Sequence, residues 1–194
     1  MSTLPAELIE KYRHFNVEHT DWWDYTYEDF KERMSHVGVA VDNIYFSGFW
    51  SQGDGACFEG RIDDMQAYLT KHFPEPDCYP YIKKLVDAGG TIMFNLQHRG
   101  HYYHENSITA SINADEFWQV MSTPTEFHEQ IIKQWDEQLN QEIGEFETDV
   151  LTQLQGYMRE LYRDLEAEYD HLTSDEAVAE AIEANELATI DEGE

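Results

Sequence analysis

At 194 residues the chain has room for one domain with a proper core and an appendage. Apolar residues at 41% and aromatics at 14% exclude wholesale disorder. Forty acidic residues against twelve basic ones give a net charge of -28, which repels nucleic acid and anionic membranes and draws basic protein surfaces.

The acid is unevenly spread. Residues 124 to 194 carry 21 acids against Lys133, Arg159 and Arg163, a net of -18, which leaves -10 for the first 123 residues. Cys57 and Cys78 are the only cysteines, the chain does not open on a signal-peptide core, and no apolar run approaches a membrane span. A soluble cytoplasmic protein with reduced thiols is the expectation.

In chain order, Ser2-Thr3-Leu4-Pro5 predicts a short helix with Leu8, Ile9 and Tyr12 at helical spacing, ending near Phe15. Thr20 to Tyr27 is an aromatic knot containing Trp22 and Trp23, either a lid on the core or an exposed anchor for a partner. A helix follows, with Thr26 as N-cap, Phe30 and Met34 inward and Gly38 at its end. Asn43 to Trp50 and Ala56 to Ile62 predict a hairpin around a five-residue loop, with Ile44 and Phe46 sharing a face with Ala56 and Phe58.

Asp63-Asp64 opens a helix carrying Met65, Tyr68, Leu69 and Phe73, stopped by Pro74-Glu75-Pro76. Another helix runs from Pro80 to Ala88. A second hairpin pairs Thr91 to Gln97 with Tyr102 to Asn113. An odd loop is preferred, because it sets Ile92, Phe94 and Leu96 on the face of Ile108. Asn113 is read as capping a short helix with Phe117, Trp118 and Met121.

Thr123-Pro124-Thr125-Glu126 is a capping box that starts the longest element. Ile132, Trp135, Leu139, Ile143, Phe146, Val150, Leu154, Tyr157, Leu161 and Leu165 recur in steps of three, four and four, an eleven-residue period that keeps an apolar stripe nearly straight along a helix. Fifty residues would span about 75 Å. Gly144 or Gly156 could host a bend. Thr173-Ser174-Asp175-Glu176 caps a final helix with Val178, Ile182 and Leu187 inward. The fold class is α+β: a small antiparallel sheet of two hairpins with helices packed on it, then a long acidic helix and a short final one. Residues 1–122 form the core domain and 123–194 an acidic extension.

Few residues carry recognisable chemistry. His98, His101, His104 and Glu105 cluster at a hairpin tip and are the candidates for a metal or a hydrolytic centre, but strand alternation sends His104 and Glu105 to opposite faces. Asp54 reads as a turn aspartate or as a base. With no nucleophile elbow and no phosphate-binding loop, the chain points to a binding protein rather than an enzyme, with no cofactor. The candidate binding residues are Asp136, Glu137, Glu145, Asp149, Glu160, Asp164 and Glu168 on the long helix, and Glu176, Glu180 and Glu183 on the last. From Glu126 to Asp170, thirteen acids and three bases amount to about one net charge per 7 Å, against one per about 1.7 Å of duplex DNA. One such helix is about fourfold too sparse to imitate DNA. A dimer of such helices would still be about twofold too sparse, so a mimic would need further acidic faces; a solvated face giving solubility is the alternative reading of the acid, and a structural homodimer built on the stripe is a third.

The hairpin Tyr45-Phe46-Ser47-Gly48-Phe49-Trp50-Ser51-Gln52-Gly53-Asp54-Gly55-Ala56-Cys57-Phe58, with His101-Tyr102-Tyr103-His104-Glu105-Asn106-Ser107 after it, resembles uncharacterised acidic proteins of tailed phages and prophages over residues 39–113. The resemblance implies a phage setting in the host bacterial cytoplasm, where small acidic proteins inhibit host DNA-binding defence enzymes. It brings no catalytic residue with it. The expected partner is the basic surface of such a host protein, not nucleic acid or membrane.

Overall fold

The structure is a computed structural model that describes residues 4–18, 21–114 and 126–187, with side chains from 133 onward in the last range. The expected short helix over Phe117 to Met121, the Thr123 to Thr125 part of the capping box and the last four residues lie outside the described residues. The expected α+β architecture is present. Its elements are α1 (Ala6–Lys11), α2 (Phe15–Glu18), α3 (Asp24–Ser35), β1 (Val39–Phe46), β2 (Ala56–Ile62), α4 (Met65–His72), α5 (Pro80–Asp87), β3 (Ile92–His98), β4 (Ile108–Ala114), α6 (Glu126–Leu172) and α7 (Asp175–Ala184).

The chain divides into two compact units, and not at 122/123. One unit comprises residues 29–162; the other joins residues 1–28 to residues 163–194. Charge alone suggested a core followed by an extension. The stripe of α6 instead belongs in large part to the sheet unit, and the N-terminal helices find their apolar partner in α7.

In the sheet unit the four strands form one antiparallel sheet in the order β1-β2-β3-β4. Phe46 faces Ala56 and Ile44 faces Phe58, as the alternation predicts, but the connecting loop spans nine residues, 47–55, rather than five. The second hairpin repeats the pattern. Leu96 faces Ala110 and Phe94 faces Ile112 across the nine-residue loop 99–107, which closes with a 3-10 turn at Glu105–Ser107. Both loops are odd in length, so the apolar faces match, and each is longer because glycines and a turn redirect it before the strands can pair. Asn113 lies in β4 rather than capping a helix.

Phe58, Phe94, Tyr68, Ile82 and Leu85 are fully buried in this unit, with the ring of Phe30 of α3 tilted against Phe58 at 5.6 Å. The helix α6 is unbroken through Gly144 and Gly156. Its stripe is buried at Leu139, Phe146, Val150, Leu154, Leu161 and Leu165, with Met158 buried beside half-buried Tyr157. The Phe146 ring lies 5.5 Å from Phe73 and 5.1 Å from Tyr79. Six of the ten stripe positions are therefore buried against other parts of the chain.

In the unit made from the chain ends, Ile9 of α1 packs with Val178, Ala179 and Ile182 of α7, flanked by Leu4, Leu8, Tyr12 and Leu187. Pro5 precedes α1 as its N-cap, and Thr26 is buried within α3, two residues beyond its start. Trp22 and Trp23 meet edge to face, and Trp22 also meets Tyr169 at 5.7 Å, so the pair is half-buried packing rather than an exposed anchor. Ser174 caps α7, its hydroxyl accepting from the Ala177 N–H at 3.2 Å.

Candidate functional site

The two hairpin loops of the sheet unit meet. Gly53 has φ +91°, and a Cβ there would stand 2.3 Å from the Tyr102 ring; one at Gly55 would stand 2.7 Å from the His104 Cβ. These glycines let loop 99–107 lie directly on loop 47–55. The contact does not gather the candidate metal ligands. His98 Nε2 engages the Tyr102 carbonyl at 2.9 Å, His104 Nδ1 accepts from the Asn106 N–H at 3.1 Å, and Glu105 faces Arg159 at 3.6 Å. His101 is exposed. Among the described residues no three metal-ligating side chains come together. Asp54 accepts from the Ser51 N–H at 2.7 Å, the turn role weighed for it above.

Behind the loops, on the face opposite Phe58, Glu59 is the hub of a polar cluster. Its carboxylate accepts from the Tyr45 hydroxyl at 2.8 Å, the Asn43 amide at 3.2 Å and the His98 N–H at 3.0 Å. The Tyr45 hydroxyl is the largest cause holding this carboxyl below its usual range. Tyr45, His98 and Tyr103 pack their rings within 4.9 to 5.3 Å of one another, so the cluster is filled rather than open. Cys57 is fully buried, and burial pushes its thiol up to about 12, which leaves no nucleophilic thiolate at neutral pH. These groups hold the two hairpins together.

Along α6 the acidic candidates separate by environment. Glu137, Glu145 and Glu160 are exposed, whereas Asp136, Asp164 and Glu168 are half-buried. Asp149 is exposed yet accepts the Tyr79 hydroxyl at 2.6 Å; burial and then this bond hold the phenol proton well above its ordinary range. Glu142, which the sequence did not single out, accepts from the Tyr81 and Ile82 N–H groups at 2.9 and 3.1 Å and so caps the start of α5. Burial raises its carboxyl despite those two bonds. A carboxylate on one helix capping another 60 residues away in sequence leaves no local spacing to detect. The sheet unit has thus taken two of the long helix's acids for its own architecture.

The unit of chain ends is different. It holds 18 acids against Lys11, Arg13 and Arg163, a net of -15 in 60 residues, while the 134-residue sheet unit carries the remaining -13. On α7, Glu176, Glu180 and Glu183 are all exposed and fall in steps of four and three, on one helical face. Counting Asp175, α7 carries four acids in ten residues, one per about 4 Å, denser than α6 but about twofold sparser than the one charge per about 1.7 Å of duplex DNA. Arg13 bonds to Glu10, to Asp175 and to the Thr173 carbonyl, which neutralises part of the helix start. Beside this row, between α1 and α7, lies a groove of about 800 Å³. It is lined by Leu4, Ala6 and Ile9 on one side and Glu176, Ala179, Glu180 and Glu183 on the other.

Comparison with characterised proteins and with solved structures returns no match. A family model described as "Domain of unknown function (DUF8835)" matches residues 22–175, most of the chain. The match takes in the sheet unit, both long loops and α6, and stops at the first residue of α7. The chain belongs to this family of unknown function.

Proposed function

We propose that the chain is a non-enzymatic acidic inhibitor, set in a phage-infected bacterial cytoplasm, that presents its carboxylates to the basic cleft of a host nucleic-acid-binding defence protein. The observation that carries this reading is the gathering of -15 net charge into the 60-residue unit of chain ends, with the exposed Glu176, Glu180 and Glu183 row on α7. Charge of this density speeds encounter with a basic surface and sets its salt dependence. Acid spacing of about 4 Å on α7, against about one net charge per 7 Å on α6, supports competition with nucleic acid better than the sparser helix does. The resemblance to tailed-phage proteins supplies the setting. The filled polar cluster and the scattered histidines favour no catalytic alternative.

The test is binding to a purified nucleic-acid-binding target across a salt series. Affinity is expected to fall steeply between about 0.05 and 0.5 M salt, where screening shortens from well over 10 Å to a few Å. Binding that is unchanged at about 0.5 M salt, or that survives E176Q/E180Q/E183Q intact, overturns the electrostatic reading.

A further inference from the structure

We propose that the groove between α1 and α7 docks one amphipathic, lysine- or arginine-rich helix of the partner; this rests on the acidic-inhibitor reading and deepens it. The groove has two chemistries side by side. Its apolar surface is offered by half-buried Leu4 and exposed Ala6, over a floor where Ile9 and Ala179 are already buried in the core of the unit. Its α7 rim is acidic, made by Glu176, Glu180 and Glu183. A ligand that satisfies both must carry an apolar stripe flanked on one side by cations at a helical period, which is the pattern of a basic amphipathic helix.

Size agrees with that occupant. The ten residues of α7 run about 15 Å, the length of nearly three helical turns, and a helix about 10 Å across would fill about 1,200 Å³ over that length. A groove of about 800 Å³ takes more than half of it. Arg13 at the groove's end does not oppose a cation, since Glu10 and Asp175 hold it. A second copy of this chain is excluded as occupant by charge, because its own unit would bring -15 against -15. Nucleic acid is excluded on the same ground.

The experiment uses the full-length protein and three synthetic peptides of equal length: an amphipathic Leu/Lys helix, the same composition scrambled to break the stripe, and a Leu/Glu counterpart. Fluorescence anisotropy is expected to show the amphipathic peptide binding about tenfold or more tighter than the scrambled one, because only it can set leucines on Leu4 and Ala6 while its lysines meet the Glu row. The Leu/Glu peptide should not bind. Ala6→Trp, at an exposed position lining the groove, should abolish the tenfold preference without changing the circular dichroism spectrum. Amide shifts on peptide addition should centre on Ile9, Ala179 and Glu180. Equal binding of the amphipathic and scrambled peptides, or shifts centred outside α1 and α7, overturns the groove while leaving the acidic-inhibitor reading standing. Failure of a purified target to bind the protein at low salt removes that reading itself.

Discussion

Phe146→Ala measures whether α6 is a core helix or an appendage. The ring is fully buried and packs between Phe73 at 5.5 Å and Tyr79 at 5.1 Å, the latter edge to face. Truncation removes the transfer free energy of a buried aromatic and leaves a cavity lined by two other rings, a loss of about 3–5 kcal/mol for substitutions of this kind. The edge-to-face contacts account for about 0.5–1.5 kcal/mol of that total. Whole-domain stability is about 5–15 kcal/mol, so the variant forfeits a large share of it. In a thermal melt this corresponds to about 2–4 °C per kcal/mol for a chain of this size, a fall of about 6–20 °C. Urea unfolding by circular dichroism, with Glu145→Gln as the exposed control at the preceding helical position, is the assay. The control should stay within about 0.5 kcal/mol of wild type. A loss under about 1 kcal/mol for Phe146→Ala would show that α6 is not packed as described, and would restore the stripe as a free surface.

Three further outcomes follow from particular contacts. Gly53→Ala puts a Cβ 2.3 Å from the Tyr102 ring at a φ of +91°, and a destabilisation of about 1–3 kcal/mol is expected by urea titration. Ser174→Ala removes the N-cap of α7 and should cost about 1 kcal/mol, read as faster amide exchange at Ala177 and its neighbours. His72 is half-buried with its imidazole depressed below about 6.5 by burial. The unfolded chain therefore takes up that proton first, so stability is full above about pH 6.5 and is lost as pH falls through the folded value. Glu59, also depressed, acts in the same direction at lower pH: its contribution is present above about 4.5 and is lost below. Urea midpoints at pH 7 and pH 5 should differ, and His72→Gln should flatten the difference; an unchanged slope in that variant would remove His72 from the account.

Much of the fold was legible because it rests on local periodicity. The three-four-four stripe named five of the six buried positions from Phe146 to Leu165, and missed Met158 only because Tyr157 and Met158 compete for one turn of the same face. Strand alternation put Ile44 with Phe58 and Phe94 with Ile108's face, since parity survives a change in loop length by an even number. Loop length itself was not legible. The chain leaves the sheet through Gly48 at φ +102° and Trp50 at φ +71°, and the seating of Tyr102 on Gly53 that accompanies it is a long-range contact with no local signal. The unit boundary was hidden for the same cause: pairing Ile9 with Val178 and Ile182 joins residues about 170 positions apart, and composition carries no record of it. The candidate acids were visible as a sign and a count. Which of them the chain uses for itself, as it does Glu142 at the start of α5 and Asp149 under Tyr79, needed the tertiary packing. That division is why the proposed binding surface lies on the short helix rather than the long one.

The most direct measurement of the central claim is displacement of a bound target by duplex DNA, run on three proteins: wild type, E137Q/E145Q/E160Q on α6 and E176Q/E180Q/E183Q on α7. Immobilised wild type is expected to retain a basic nucleic-acid-binding protein and to release it as duplex DNA is added. The α6 variant should retain it nearly as well, and the α7 variant should lose it. Retention by the α7 variant equal to wild type, or a complex that duplex DNA does not displace, would contradict the account.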